Sequence, residues 1–300
     1  MRITRVTGAL AGIAVAALAL TACNSGTPGA DPSEPGGETA ENPWTVATDV
    51  SLEGSPTFDA ISSRGSVNIG VKEDQPNLGY LDPTTGERSG FDVDIARWIA
   101  ASLGFDEDKI TYTVVDSANR EQAIINGQID YYVGTYSITD DRKEQISFAG
   151  PYFITGQGLL VAADSDLAGV DDLTADTVVC SVTGSTSIQR IKEETPSKTV
   201  ELSKYSECVE QVKNGQADAV TTDEAILIGY AANDPDNLKV VGEPFSEERY
   251  GVGIAKGDTA FVEHVNTLFT DGGDVWQAIF DKNLGAAGVE GTQPAVDPAE

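Results

Sequence analysis

The chain has 300 residues, of which 48 are Asp or Glu and 19 are Lys or Arg, so its formal net charge is −29. This excess of acids argues against binding to nucleic acid and against charge-driven docking on an anionic membrane surface. Between its two ends the composition is that of an ordinary globular protein, and it is long enough for two lobes or for one large domain.

The first 22 residues are typical of an export signal. Arg2 and Arg5 precede the apolar stretch GALAGIAVAALAL, which is too short for a good membrane-spanning helix. This stretch runs into LTAC, which resembles the lipobox of bacterial lipoproteins, where cleavage precedes the cysteine and lipidation follows. The resemblance implies that Cys23 is the lipidated residue, and ordinary secretion with an incidental cysteine is the alternative. Residues 23–43 are rich in Gly, Pro, Ser and acids, which predicts a flexible tether.

Strand-like and helix-like segments then alternate along the chain. The runs SVNIGV, ITYTVVD and IDYYVGT predict strands, and FDVDIARWIAASLG, REQAIINGQ and TDDRKEQI predict helices, the last with Thr139 as its N-cap. After the extended run YFITGQGLLVA, the strands TVVCSV, TVELS and ADAVTT alternate with helices that begin near Ser185, Ser206 and Asp223. The extended run RYGVGIA and two helices complete the series.

This order predicts an α/β fold in which mainly parallel sheets are flanked by helices. Two series joined by two extended crossings imply two lobes with a hinge. We expect lobe 1 over residues 44–156 and 248–284, lobe 2 over 157–247, and a flexible tail over 285–300. Ligands of such folds bind beyond the carboxyl ends of strands and between domains, so the loops that follow strands are the expected place for a site.

Two arginines flank one predicted strand of this acidic chain. Arg120 precedes IDYYVGT and Arg142 follows it, with the hydroxyl residues Thr135 and Ser137 between them. A guanidinium can hold a carboxylate by two parallel hydrogen bonds, which is stronger and more directional than a lysine contact. The pattern therefore predicts a protein that binds carboxylates, and two surface arginines paired with nearby acids are the alternative.

The remaining cysteines are an even pair in a chain expected to be exported. This favours one disulfide between Cys180 and Cys208, with two buried free thiols as the alternative. The single histidine, His264, lies in a predicted amphipathic helix, and the sequence has no CxxC motif. We therefore expect no metal and no cofactor.

Three separated blocks carry a resemblance to a known family. GFDVDIARWIAASL, NGQIDYYVGTYSITDDRKEQISFAGPYF and NGQADAVTTDEAILIGY occur in this order. Together they resemble the family 3 extracellular solute-binding proteins over about residues 57–284. The resemblance implies a two-lobed, type II periplasmic-binding-protein-like fold and the capture of a polar amino acid for an ABC importer.

The resemblance also implies the residues that hold the ligand. Arg142 would grip the α-carboxylate and Asp223 would pair with the α-ammonium. The loop before Arg142 and the helix N-terminus after TVVCSV, which suits a carboxylate, would supply hydroxyl and backbone groups. These further residues are Thr135, Ser137, Thr183, Ser185 and Thr186, and those expected around the ligand side chain are Lys72, Ser117, Arg120 and Tyr205.

The arrangement S-x-N-R at 117–120 is most similar to the glutamate/aspartate-binding members, in which the arginine faces the side-chain carboxylate. Three cations, Lys72, Arg120 and Arg142, against the single anion Asp223 would leave a positive pocket, which suits a ligand with one net negative charge. We therefore expect L-glutamate as the ligand, with L-aspartate as a close alternative. Glutamine or another polar amino acid is the further alternative.

The expected protein is a monomer on the extracytoplasmic face of the cell membrane, anchored through Cys23. It would deliver its ligand to permease subunits that work with an ATPase. A same-fold extracytoplasmic enzyme is a weaker alternative, because the sequence offers neither a carboxylate dyad nor a free cysteine for catalysis, and we expect no enzymatic activity. The sensor module of a receptor is a third alternative.

Overall fold

The computed structural model describes residues 42–299, which belong to one compact unit. The expected signal segment, Cys23 and nearly all of the tether lie outside the described residues. Within residues 42–299, no helix combines the length and the apolar character needed to cross a membrane.

Residues 42–299 contain thirteen strands and nine α-helices. The strands are β1 Val67–Val71, β2 Asp74–Gln75, β3 Gly79–Leu81, β4 Arg88–Ser89, β5 Ile110–Val114, β6 Tyr131–Tyr132, β7 Ser147–Thr155, β8 Gln157–Ala162, β9 Val178–Val182, β10 Lys198–Leu202, β11 Ala219–Asp223, β12 Leu238–Val241 and β13 Glu248–Ile254. The helices are α1 Pro56–Arg64, α2 Phe91–Ser102, α3 Arg120–Ile125, α4 Asp140–Lys143, α5 Thr186–Glu194, α6 Tyr205–Lys213, α7 Glu224–Asn233, α8 Thr259–Asp271 and α9 Gly273–Asn283.

Most strands belong to two five-stranded sheets. The first sheet has the order β5-β1-β6-β13-β7 and the second has the order β10-β9-β11-β8-β12. In the first sheet β13 is antiparallel to both of its neighbours, and in the second sheet β8 is antiparallel to both of its own. The other four pairings are parallel, so four of the five strands in each sheet share one direction. The predicted α/β fold with mainly parallel sheets is confirmed.

The chain passes between the two sheets twice. It leaves the first sheet at Thr155 and enters the second at Gln157, and it leaves the second at Val241 and returns to the first at Glu248. Short crossings of this kind are typical of a hinge, and the division into two mobile lobes stays a prediction.

The N-terminus of α2 packs into the hydrophobic core beside the first sheet. Gly90, with φ 118°, precedes the helix, and a Cβ at this position would lie 2.1 Å from the carbonyl oxygen of Leu78, so only glycine fits. Phe91 is fully buried and packs its ring against four aromatic side chains: Tyr152, Phe153, Trp276 and Phe280. The helix therefore begins at a fixed point on β7 and α9.

A disulfide joins Cys180 of β9 to Cys208 of α6, across a sequence separation of 28 residues. The predicted bridge is confirmed, and both cysteines are fully buried. It ties α6 to the middle of β9, the strand whose carboxyl end leads into α5.

The segment expected to be a flexible tail makes contacts with the body of the protein. Arg249 Nη2 forms an ion pair with Asp297 Oδ1 at 2.6 Å, and the backbone N–H of Asp297 donates to the Gly150 carbonyl oxygen at 2.7 Å. The described part of this segment, residues 285–299, therefore contacts the body, where Val289, Val296 and Ala299 also pack against the core. Its flexibility stays a prediction.

Candidate ligand-binding site

A small polar cavity lies where residues of both sheets meet. Ten residues of the described chain line it: Ser117, Arg120, Thr135, Ser137, Arg142, Ser185, Thr186, Ser187, Tyr205 and Asp223. Nine of them belong to the set expected from the sequence, and Ser187 is new. Every lining residue carries a polar or charged side-chain group, which suits a small polar molecule.

The lining residues lie after the carboxyl ends of strands, as ligand sites do in α/β folds. We call the residues from the side of the first sheet the first wall: Ser117, Arg120, Thr135, Ser137 and Arg142. We call those from the side of the second sheet the second wall: Ser185, Thr186, Ser187, Tyr205 and Asp223. The two walls differ in chemistry, because both lining cations belong to the first and the lining carboxylate belongs to the second.

Arg142 is held in place by carbonyl oxygens. Its Nη1 donates to Ser137 O at 2.6 Å and its Nη2 donates to Gly184 O at 3.0 Å, while its Nε lies 3.5 Å from a carboxylate oxygen of Glu121. Burial, and then the charge of Arg120, lower the pKa of Arg142 to about 10. The guanidinium is still charged at neutral pH and is available to a carboxylate.

Arg120 shares an aromatic neighbour with Arg142. Its guanidinium carbon lies 4.1 Å from the ring centroid of Tyr136, and that of Arg142 lies 5.0 Å from the same centroid. Arg120 Nε donates to Ser117 O at 3.0 Å, and its Nη2 donates to Gly184 O at 3.3 Å. Tyr136, which sequence reasoning missed, therefore stabilises both cations through its ring and keeps them near each other.

Lys72 is buried just behind the first wall and does not line the cavity. Its Nζ donates to Ser117 Oγ at 2.8 Å. Burial, and then the nearby charge of Arg120, lower the pKa of Lys72 to about 7. Lys72 thus reaches the cavity through Ser117, and its charge is sensitive to what that cavity contains.

The backbone at Thr135 adopts a conformation that is unusual for threonine, with φ 47°. Its N–H donates to Asp92 Oδ2 at 2.9 Å, and Gln75 Nε2 donates to its hydroxyl at 3.0 Å. Asp92 also accepts from Tyr152 Oη at 2.8 Å, and burial raises the pKa of Asp92 to about 7. Positive φ values in non-glycine residues are concentrated at functional sites, and here buried hydrogen bonds hold the strained loop.

The N-terminus of α5 forms much of the second wall. Ser185 is the N-cap, and its Oγ accepts from the N–H of Ile188 at 3.1 Å. Thr186 and Ser187 open the helix, where free N–H groups and the helix dipole favour an anion. The hydroxyl of Ser187 is buried and has no hydrogen-bond partner among the described residues, so it can serve a ligand.

Asp223 ends β11 and is the acidic residue of the second wall. Its Oδ2 accepts from Tyr250 Oη at 2.6 Å, whereas its buried Oδ1 has no partner among residues 42–299. Burial, and then the charge of Glu248, raise the pKa of Asp223 to about 8. A cationic group placed beside Oδ1 would satisfy this atom and favour the ionised carboxylate.

Thr183 is the one expected residue of the second lobe that the cavity does not include. It is exposed, and its N–H donates to Leu202 O at 3.0 Å. Helix α5 begins at Thr186, so the turn that contains Thr183 comes before the residues that meet the cavity.

Two carboxylates that sequence reasoning missed change the expected charge count. Glu121 lies beside Arg142, and Glu248 accepts a hydrogen bond from Thr186 Oγ1 at 3.0 Å. With these two acids included, the charges around the cavity are more nearly balanced than the expected three cations against one anion. Glu248 is distant in sequence from the other site residues, so no local motif points to it.

Comparison with known proteins agrees with this architecture. The sequence pattern of the bacterial extracellular solute-binding proteins, family 3, matches residues 67–285. The match covers most of the chain, and the protein belongs to this family.

Individual relatives differ in the ligand that their names give. The glutamate-binding protein GluB of Corynebacterium efficiens is 40% identical over 248 residues, which are 78% of this chain and 83% of the relative. The glutamine-binding protein of Geobacillus stearothermophilus is 43% identical over 204 residues, 68% of this chain and 78% of the relative. Among solved structures, an ancestral arginine-binding protein bound to arginine has a TM-score of 0.67 and 31% identity, covering 74% of this chain and 99% of that one.

Proposed function

We propose that the protein captures L-glutamate between two lobes and delivers it to the membrane permease of an ABC importer. One observation carries the proposal. Two buried guanidinium groups, Arg120 and Arg142, and one buried carboxylate, Asp223, converge on a single small cavity from opposite sides.

Each charged group has a counterpart on glutamate. The fork of Arg142 matches the α-carboxylate, and the unpartnered oxygen of Asp223 matches the α-ammonium. Arg120, with Lys72 behind Ser117, matches the side-chain carboxylate. Glutamine would leave a desolvated guanidinium without an anion, which is costly in a buried site.

The relatives support amino-acid binding and make glutamine the second candidate. A relative named for glutamate and a relative named for glutamine are similarly close to this chain. Two features of the site favour glutamine: the pKa of about 7 for Lys72, which lets this side chain be neutral, and the additional carboxylates Glu121 and Glu248. In our proposal the two neighbouring buried arginines, Arg120 and Arg142, outweigh these features. Aspartate stays an alternative because it carries the same charges as glutamate.

The proposal includes export, lipidation at Cys23 and work with a permease and its ATPase, with the binding protein as a monomer that catalyses no reaction. Family membership supports an extracellular place of action. Replacing Cys23 by alanine tests the anchor, since the variant should leave the membrane fraction for the culture medium.

Calorimetry with a panel of L-glutamate, L-aspartate, L-glutamine and L-arginine tests the ligand. We expect glutamate to bind with a micromolar Kd or tighter, about −8 kcal/mol or beyond. Tightest binding of glutamine would contradict the glutamate assignment and keep amino-acid binding. An absence of heat with every α-amino acid would contradict the proposal as a whole.

A further inference from the structure

Glu248 is a buried acid at the start of β13, where the chain returns to the first sheet. Its carboxylate accepts three hydrogen bonds, from Gln157 Nε2 at 2.7 Å, from Thr186 Oγ1 at 3.0 Å and from Ser246 Oγ at 3.1 Å. Gln157 and Ser246 lie at the two crossings between the sheets, whereas Thr186 lines the cavity. Glu248 therefore connects both crossings to the second wall without lining the cavity itself.

The bond to Glu248 decides what Thr186 can offer a ligand. A threonine hydroxyl has one hydrogen and two lone pairs, and a carboxylate only accepts. The single hydrogen of Thr186 Oγ1 is therefore directed to Glu248. Toward the cavity the hydroxyl can only accept, so it suits an ammonium group and cannot donate to a carboxylate.

Asp223 offers a second acceptor on the same wall. Tyr250 donates to its Oδ2, which leaves the buried Oδ1 without a partner among residues 42–299. Glu248 and Tyr250 are two positions apart on β13, so their side chains leave the same face of the strand. One strand thus sets the hydrogen bonding of both Thr186 and Asp223.

We propose that Glu248 is a positioning residue for ammonium recognition, which holds the Thr186 hydroxyl as an acceptor so that Thr186 and Asp223 together receive the α-ammonium of the ligand. This rests on the proposed function only in requiring an α-amino acid, whatever its side chain. It moves Thr186 from the carboxylate, where the helix N-terminus suggested it, to the ammonium. It also makes the site selective for amines over acids of the same shape that lack them.

Calorimetry with L-glutamate and glutarate tests the proposal, because glutarate keeps both carboxylates and lacks the amine. Glutarate binding is measured by displacement of bound glutamate. Glu248→Gln should weaken glutamate about 10-fold, since an amide at this position can donate to Thr186 and release its hydroxyl hydrogen toward the cavity, where it would face the ammonium, and should weaken glutarate less than about 2-fold. Glu247→Gln removes the same charge at the exposed neighbouring position and should change neither affinity. Equal losses for both ligands in Glu248→Gln would overturn the proposal, because they would show that Glu248 supports binding only by holding the two crossings together.

The variant Thr186→Val and the double variant with Glu248→Gln decide the question with glutamate alone, even if glutarate does not displace it. Each single variant should lose about 10-fold and the double variant no more than about 20-fold, because both changes remove the same acceptor. A loss of about 100-fold in the double variant would overturn the proposal, and thermal unfolding checks that each variant is folded. If Glu248→Gln does not fold, Thr186→Val alone gives the comparison with glutarate. If the protein binds another amino acid instead of glutamate, the glutamate assignment fails, and the same comparison is made with that amino acid and its analogue without the amine.

Discussion

The two walls of the cavity present charges of opposite sign. The first wall presents the guanidinium groups of Arg120 and Arg142, which are fixed by carbonyl oxygens and by the ring of Tyr136. The second wall presents the carboxylate of Asp223 together with hydroxyl groups at the start of α5. An α-amino acid carries both signs of charge, so it needs both walls. This division explains why binding and closure of the two lobes would be coupled in the proposed function.

The walls also touch directly, through one carbonyl group. Arg120 and Arg142 both donate to the oxygen of Gly184, which precedes the second wall. A Cβ on Gly184, whose φ is 80°, would lie 2.8 Å from Ala118 Cα, so only glycine allows this approach. The cations of one wall are thus oriented in part by the backbone of the other.

Removing the guanidinium of Arg142 should have the largest effect on ligand affinity. We expect Arg142→Ala to weaken every amino acid by at least about 1000-fold, which corresponds to about 4 kcal/mol, because the α-carboxylate would be buried without its partner. Calorimetry with the panel measures this loss. Arg64→Ala, which removes an exposed arginine paired with Asp130, should leave binding unchanged. Measurable glutamate binding at micromolar concentration in Arg142→Ala would contradict the assigned role.

Arg120→Ala should separate glutamate from glutamine, because glutamate has a second carboxylate for this residue and glutamine has none. We expect glutamate to weaken about 100-fold and glutamine less than about 3-fold. Arg120→Lys keeps the charge, loses the fork and should give an intermediate loss for glutamate. Calorimetry with both ligands measures the ratio, and the same loss for both would show that Arg120 supports the wall rather than recognising the side chain.

Asp223 of the second wall and Lys72 behind the first wall should respond oppositely to pH. Without ligand the pKa of Asp223 is about 8, so at lower pH an arriving ammonium must displace its proton. Affinity gained from Asp223 is therefore full above pH 8 and falls as the pH drops, by at most about 10-fold per pH unit. The pKa of Lys72 is about 7, so a side-chain carboxylate gains most from it below pH 7 and loses that gain as the pH rises.

Glutamate and glutamine should differ in their pH profiles for this reason. Charged or titratable groups that affect the pKa values of Asp223 and Lys72 are Glu248, Tyr250, Arg120, Arg142, Asp74 and Asp116. Between pH 6 and 8.5, glutamine affinity should rise with pH, whereas glutamate affinity should be flatter, with Lys72→Met giving glutamate the glutamine profile. Calorimetry in buffers of different ionisation enthalpy counts the protons, and proton uptake on glutamine binding at pH 7 would contradict this account.

Local periodicity was sufficient for most of the fold. The large apolar residues of α2 recur at helical spacing, and the buried strands β1 and β9 are short, mostly apolar runs, so their type follows from the sequence. The small sheet β2-β3-β4 was missed because its strands have only two or three residues, too few to show a period. Helix α1 and strand β12 were also not predicted.

The site was predictable where a residue follows a strand and not where it depends on tertiary contacts. The lining residues of both walls lie in loops or at helix starts after strands, and the spacing of the family motif marks most of them. Ser187, Tyr136 and Glu248 gain their roles from neighbours that are far away in sequence. Thr183 fails for the opposite reason, since it is near in sequence and lies outside the cavity.

A second set of contacts joins the two sides away from the cavity. Lys204, which precedes α6, forms an ion pair with Glu73, which follows β1. The N–H of Ser206 donates to Asp74 Oδ2 at 3.1 Å, and the hydroxyl of Tyr230 donates to the Asp74 carbonyl. Unlike the cavity walls, these groups do not line the ligand space, so we expect the Lys204–Glu73 pair to affect binding by holding the two sides together.

Lys204→Ala should therefore have the smallest effect. The side chains of Lys204 and Glu73 are 39% and 24% exposed, and pairs of this kind contribute about 0.2–1 kcal/mol, so glutamate should bind about 1.4- to 5-fold more weakly. The loss should be found in the dissociation rate, measured by stopped-flow tryptophan fluorescence, because the pair joins the two sides only when they are together. High salt should reduce the difference between Lys204→Ala and the unchanged protein.

Lys198→Ala is the matched control, since the pair of Lys198 with Asp176 stays within one side. An equal change in both variants, or a change in the association rate alone, would show that this pair does not stabilise the closed form and that the cavity walls hold the two sides together without it.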